Sequence, residues 1–566
     1  MHRSKKWCAF SGALCLFAML ISACGSATIA NTPGRKLIAA PPDKQILRLP
    51  IGDSDFDTLD PALTNGRDTI AEIFTGLVEP RDDGTIVDQL AAFHRVSSDG
   101  LTYTFTLKPD LTFSDGTPLT AQDVAYSINR TVLPATKSTV AGYLNLIKDF
   151  NQVNSGQRPT LIGDSIIVKD ANTLSITITR PAAYFLEALG YPTSYVVEKK
   201  LIDQYGDKWT DHLDQGGGDG PFKVASYVHT RGLELVPNAN YYGPKPLIQH
   251  LSFLISGDRD TTYKAYLSGQ FDDAGVPPAE TDIARTRTDF INTPTLTIRY
   301  IGLNLLARPL DNLKIRQALA LAINKDLIVK TVLRGNVIAT NHLVPQGQAG
   351  YNAHLTGPIS EMGTAGDQTK ARQLLQEGLQ EAGYANVDAL PTITLTSFTG
   401  YKAGTDTLSA IIQEWQSVLG INVKLTLIDS NELLQQESAT IGNGKLQMWY
   451  GVWQADYPDP QDWLSIFFGK GSDHNFANYG QNNTADVAQQ QAVQNQLAQA
   501  DVNLNTVARM QAYNKAEQQI VNDVAWIPTY QSAYIMVLNP KVQNYHAFNA
   551  LGVTAPDDWG SIYIAQ

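Results

Sequence analysis

Residues 99–130 read DGLTYTFTLKPDLTFSDGTPLTAQDVAYSINR. Leu101, Tyr103, Phe105 and Leu107 alternate with threonines, the period-two pattern of a strand with one buried face. Ser114-Asp115-Gly116 has the composition of a tight turn. Thr120 is a good helix N-cap, with Asp123 three residues on in a capping-box position. Val124 and Ile128 then share one helix face. A strand, a turn and a capped helix follow one another directly, which places the chain in a mixed α/β class.

Working outward, "SIIVKD" and "TLSITIT" flank Asp170-Ala171-Asn172 and predict a hairpin within 161–180. "GGGDGPFKVASY" (216–227) opens with glycines and becomes a strand, and "LELVPNANYYG" (233–243) is a strand running into a turn. Near residue 300 the character changes. "TIRYIGLNL" predicts a strand, and "NLKIRQALALAINKDLIVKTVL" (312–333) predicts one amphipathic helix. "KARQLLQEGLQEAGY" repeats that pattern. "TITLTSF", "DTLSAIIQEWQSVLG" and "INVKLTLI" form a strand–helix–strand unit, with Gly420 placed to stop the helix. Such units put their loops, and so their sites, at the carboxyl ends of the strands. A helix near 505–523 leads into a last strand, "AWIPTYQSAYIMVL". This order predicts a chain that leaves one lobe and later returns to it, with two connecting segments as a hinge and a cleft between the lobes.

The N-terminus predicts where the chain works. Arg3, Lys5 and Lys6 precede an apolar run from Trp7 to Ile21, a secretory signal too short to span a bilayer. The run ends in Ile21-Ser22-Ala23-Cys24, which is similar to a bacterial lipobox, in which the cysteine is acylated and becomes the new N-terminus. The cysteines are Cys8, Cys15 and Cys24, so cleavage after residue 23 leaves no disulfide framework. Residues 24–43 read as a flexible tether. The formal net charge is −12, and no Lys/Arg-rich run follows residue 6, which argues against nucleic acid as a partner. GxSxG, HExxH and Walker A motifs are absent, and the nine histidines show no metal-ligand spacing. No enzyme, cofactor or metal is expected.

One more stretch stands out. Residues 453–463 read WQADYPDPQDW, with three aspartates, three aromatics and two prolines. The prolines oppose both helix and ladder, so this is a stiff, shaped loop carrying negative charge beside flat apolar faces.

Together these segments resemble the bacterial extracellular solute-binding proteins of family 5, which serve ABC importers of oligopeptides, dipeptides and nickel. The resemblance is carried by "TLDPA" (58–62), "IFTGLVEPRDDGTIVDQLA" (73–91), the 99–130 stretch, "GDGPFKVASY", "NANYYGPKP", "LDNLKIRQALALAINKD" and "WQADYPDPQDW". It implies a two-lobed α/β fold of the periplasmic-binding-protein type (type II, cluster C) with an extra α+β subdomain in the first lobe. Mapped by motif, lobe one spans 44–300 plus 528–566, its inserted subdomain about 86–205, and lobe two 301–527.

The resemblance also implies function. A substrate-binding lipoprotein captures peptides between closing lobes and delivers them to a membrane permease and its ATPase; it acts as a monomer outside the cytoplasm, anchored to the membrane by lipid on Cys24. In peptide-binding members an aspartate of the last loop accepts the ligand's α-ammonium, which here is Asp456. Trp453 and Tyr457 would line that pocket, while Asp459 and Asp462 read as turn and helix-cap residues and Trp463 as core. The ligand carboxylate needs a cation. Dipeptide-binding relatives carry an arginine in the loop matching "FTGYKAG"; here the candidate is Lys402. Two other readings stay open: the same fold holding an oligosaccharide or a nickel or haem chelate, and, more remotely, a secreted hydrolase.

Overall fold

The computed structural model describes residues 37–64, 69–81, 84–546 and 549–566. The expected signal segment 1–23, Cys24 and the first part of the tether lie outside the described residues.

The 99–130 stretch forms what its pattern predicts. The strand is Thr102–Leu107, with Tyr103, Phe105 and Leu107 buried. The helix is Ala121–Val132, opened by Thr120, whose N–H and hydroxyl both bond the Asp123 carboxylate at 2.8 Å. Val124, Ala125, Ile128 and Val132 lie on its buried face. They pack on a four-stranded antiparallel sheet, Ala91–Val96, Thr102–Leu107, Thr173–Thr177 and Ile166–Asp170 in spatial order. Arg130, at the end of this helix, forms a fork to Asp60 of the "TLDPA" motif, at 2.9 and 2.5 Å, and the Trp209 indole N–H adds a third bond to Asp60. Two motifs 70 residues apart are thus one buried contact.

That contact joins the antiparallel layer to a second four-stranded sheet, Ile46–Pro50, His250–Leu254, Gly232–Pro237 and Phe222–Val228. The C-terminus completes its core: Trp559 meets Phe222 edge-on at 5.0 Å. The Gln45 side chain bonds the backbone of Ile564 in both directions, tying the two ends of the described chain together. Gly220 packs in this first lobe so tightly that a Cβ would stand 2.6 Å from the Glu72 carbonyl oxygen, which accounts for the glycine of the GDGPF motif.

The second lobe is built on the largest sheet, which includes Trp526–Leu538, Phe290–Leu303, Met448–Gln454, Ile393–Phe398 and Val423–Ile428 in spatial order. Its core takes residues from Ile298 to Ile527. The chain passes between the halves along two long antiparallel strands, Phe290–Leu303 and Trp526–Leu538, rather than through loops. The positions 300/301 and 527/528 lie inside them. One end of this ladder packs with Tyr263, Tyr266 and Ala274, the other with the second-lobe core.

The strand–helix–strand unit is present as Ile393–Phe398, Lys402–Leu419 and Val423–Ile428, with Gly420 ending the helix in the left-handed region at φ 71°. The single helix expected over 312–333 is instead two, Leu313–Leu321 and Lys325–Thr331. Asn324 breaks it by accepting the Leu327 backbone N–H and capping the second helix. Apolar periodicity runs through the break because both pieces send side chains, Ile315 and Leu319 from the first and Ile328 from the second, into the same core.

Candidate functional site

The 453–463 loop joins the Met448–Gln454 strand to the Gln461–Phe468 helix. Its charges have distinct surroundings. Asp462, in the first turn of that helix, is fully buried; it accepts the Trp453 indole N–H at 3.2 Å and the Asp456 backbone N–H at 3.0 Å. Burial, and then the neighbouring Asp456 charge, push its carboxyl well above the ordinary range. Asp459 accepts the Gln461 backbone N–H at 2.9 Å and forms a buried ion pair with Arg509 at 2.7 Å. Both residues hold the turn, as expected, but neither is the helix cap, since Pro460 occupies the N-cap position. Trp463 is fully buried and belongs to the core.

Tyr457 is also buried, but in the other lobe's core. Its ring stacks on Tyr184 of the first lobe, centroids 6.1 Å apart and nearly parallel, and its hydroxyl bonds Gln461. The loop therefore closes one lobe against the other.

Asp456 is half-buried and lines a cavity of about 630 Å³ between the lobes. Trp453 and Tyr457 line it from the second lobe; Tyr143, Tyr184 and Tyr191 line it from the first. The Tyr143 hydroxyl donates to Asp456, and Tyr143 is pushed well above its ordinary pKa by burial and then by the Asp456 charge. Tyr191 leans on Tyr143 with centroids 4.1 Å apart. A carboxylate that already accepts a hydroxyl here, among aromatic walls, can take a cation.

The strand leading into the loop has a second property. Its whole length pairs with Phe290–Leu303, from Leu303 opposite Met448 to Thr297 opposite Gln454. On its other side only Met448 and Trp449 pair, with Leu395 and Thr396, among the described residues. From Gly451 on, one backbone edge is left for an added strand, and Val452 and Gln454 are exposed there.

Lys402 does not join this lining. It opens the Lys402–Leu419 helix, its side chain is 85 % exposed, and it pairs with Asp406 one turn on at 2.7 Å. The residue before it points the other way: the Tyr401 hydroxyl meets that of Tyr530 at 3.1 Å, and the Arg299 guanidinium lies over the Tyr401 ring at 4.6 Å. Tyr143 and Arg299 were not singled out from the sequence. Arg299 did carry a signal, as the single charged residue of the strand FINTPTLTIRYIGL. Tyr143 carried none; nothing in "AGYLNL" says that it faces a second lobe.

With this geometry in view, the comparisons place the chain. Residues 85–475 match the model of the bacterial extracellular solute-binding proteins, family 5 (middle region), and the chain belongs to that family. Among individual relatives, the oligopeptide-binding protein OppA of Bacillus subtilis is 27 % identical over 528 residues, covering 91 % of this chain and 92 % of the relative. The periplasmic oligopeptide-binding protein OppA of Escherichia coli is 28 % identical over 509 residues, covering 87 % of this chain and 88 % of the relative. The solved structure of MppA, a periplasmic murein tripeptide-binding protein in its unliganded open form, superposes with a TM-score of 0.74 at 25 % identity, covering 94 % of this chain and 99 % of that one. The members of this family are binding proteins that work outside the cytoplasm. Among the described residues no helix is long and apolar enough to cross a membrane.

Proposed function

We propose that this chain is the substrate-binding lipoprotein of an ABC importer and captures peptides by their free N-terminus, with Asp456 as the ammonium anchor. The observation that carries the reading is the division of labour in the 453–463 loop. Asp459 and Asp462 hold the loop, and Asp456 faces an aromatic cavity between the lobes. Trp453 and Tyr457 are its walls. The open backbone edge after Trp449 supplies main-chain partners without selecting side chains, which suits a broad peptide binder. The names of the relatives, oligopeptide- and murein-peptide-binding, support the same class. In this reading the protein is a monomer that does no chemistry on its ligand, is held at the membrane by lipid on Cys24, and delivers to a permease driven by an ATPase.

The test is isothermal titration of the full chain in detergent, unfolded and refolded to strip carried ligand, against peptides of two to six residues. Heat that disappears when the peptide N-termini are acetylated is the expected result. Silence with every peptide would move the assignment to a sugar or metal chelate. Cys24→Ala is expected to release the protein from membranes in a fractionation experiment; retention there would remove the lipid anchor from the reading.

A further inference from the structure

A second cavity, of about 680 Å³, opens in the first lobe where the parallel strands Ile46–Pro50 and His250–Leu254 end. Its charges are unbalanced. Asp55, Asp57, Glu72 and Asp273 line it, against one cation among the described residues, the exposed Arg259. We propose that this cavity receives a basic side chain of the bound peptide, with Asp273 as its partner, and so makes the chain selective for peptides that carry lysine or arginine near the N-terminus. This rests on the peptide reading above and adds to it a substrate class.

Asp273 opens the short strand Asp273–Gly275, in which side chains alternate between faces. Ala274 packs into the core with Tyr263 and Tyr266, so Asp273 and Gly275 face the other way, toward the cavity. Asp273 is 5 % exposed, and its Oδ1 is buried with no hydrogen-bond partner. The aspartate before it is satisfied: Asp272 accepts the Arg48 backbone N–H at 2.9 Å and the Asn539 side-chain amide at 2.8 Å. Burial, and then the Asp272 charge, push the Asp273 carboxyl up to about 8. A buried carboxyl oxygen left unbonded is costly, and a cation laid against it removes that cost and restores its charge. Asp55 is already held by Tyr227 and His229, so it adds negative field rather than a free acceptor. No three His, Cys, Asp or Glu side chains converge as a metal site among the described residues. The cavity walls include Phe56 and Phe253, whose rings meet edge-on at 6.4 Å and suit the methylene stem of a lysine or arginine.

The ammonium anchor is close by. Leu296 donates its backbone N–H to the Ala550 carbonyl at 3.0 Å, and its own carbonyl accepts the Ala455 N–H at 2.8 Å. Ala455 precedes Asp456, and Ala550 leads into Gly552, Val553 and Thr554 of the cavity lining. Two backbones that each bond the same residue are at most about 10 Å apart, two strand spacings. An extended peptide advances about 3.3 Å per residue, so with its ammonium at Asp456 its second to fourth side chains come within reach of the cavity.

The experiment is titration of the refolded full chain with penta-alanine, its N-acetyl form, and pentapeptides carrying one lysine, norleucine or glutamate at the second, third or fourth position. It is run on the wild type and Asp273→Asn, with thermal unfolding of both as a check on folding. At one or more of these positions lysine is expected to bind about 10- to 100-fold more tightly than norleucine, which keeps the stem and loses the charge, the range of one charged hydrogen-bonded pair. Glutamate should bind more weakly than either. In Asp273→Asn the lysine-to-norleucine ratio should collapse toward one. If lysine and norleucine bind alike at all three positions while acetylation still abolishes binding, the basic-side-chain site falls and the peptide reading stands. A lysine advantage undiminished in Asp273→Asn overturns the assignment in the same way. If Asp273→Asn does not fold, the wild-type ratio of lysine to norleucine decides. If no peptide gives heat, both readings fall together.

Discussion

Two loops follow neighbouring strands of one sheet, and their charged residues meet different fates. After Met448–Gln454 the chain carries three aspartates, and each is held by a specific partner: Asp462 by an indole and a backbone N–H, Asp459 by Arg509, Asp456 by a tyrosine from the opposite lobe. After Ile393–Phe398 the chain carries Lys402, which reaches only the carboxylate one turn along its own helix. In sequence both loops look like sites, each a charge among aromatics and glycines or prolines. What separates them is which surfaces fold over them. The first is wedged between lobes, where burial makes every charge consequential. The second starts a surface helix, where water screens the charge and the buried neighbour, Tyr401, takes the inward position.

The largest expected effect comes from removing a structural charge in the buried loop. Asp459→Ala leaves Arg509 buried and unpaired and should destabilise the fold by about 3–5 kcal/mol, seen as a large drop in thermal midpoint. A drop of no more than a degree or two would mean that the loop is solvated in solution. Next, Asp456→Asn should leave stability close to wild type but weaken peptides with free N-termini by about 10- to 100-fold, leaving acetylated peptides unaffected. Equal affinity of mutant and wild type for free peptides would remove Asp456 from the site and erase the contrast within the loop.

A pH effect of intermediate size is expected from Glu187, on the first-lobe helix Phe185–Leu189 that faces the Asp459–Arg509 pair. Burial, and then the Asp459 charge, push its carboxyl from 4.5 up to about 8, while Arg509 pulls it down. Closing the lobes over Glu187 therefore takes up a proton. The raised value favours closure fully below the ordinary carboxyl pKa, and that advantage is lost as pH rises through about 8. Affinity for a neutral-side-chain peptide should fall as pH rises from about 5 to 8, and Glu187→Gln should flatten the slope. A slope unchanged in Glu187→Gln assigns the titration elsewhere. The smallest effect belongs to Lys402→Ala: less than about 0.5 kcal/mol on stability and no change in peptide affinity. A clear loss of affinity would return Lys402 to the carboxylate role.

Much of the fold was legible residue by residue. Alternation over 101–107, the Thr120–Asp123 cap, the Asp170–Asn172 hairpin and the 392–428 unit all appear where local pattern places them. The break at Asn324 was not legible, because a helix cap inside a continuous apolar periodicity leaves the periodicity intact. Of the site, the loop's stiffness and acidity were visible, as was the distinction between Asp456 and the two aspartates that hold it. Tyr143 and Arg299 were hidden for a different reason. Each acts across a packing contact with residues more than 100 positions away, and no local pattern encodes such a neighbour.

The amino-acid sequence by itself therefore determined the order of elements, the family, and the stiff acidic loop at 453–463, since these rest on backbone preferences, apolar periodicity and motifs confined to short stretches. The tertiary structure alone decided which charges are buried, paired or left to solvent. Whether a carboxylate or guanidinium faces water, a partner or an unfilled cavity depends on what the rest of the chain lays against it, and desolvation acts only once that packing is complete.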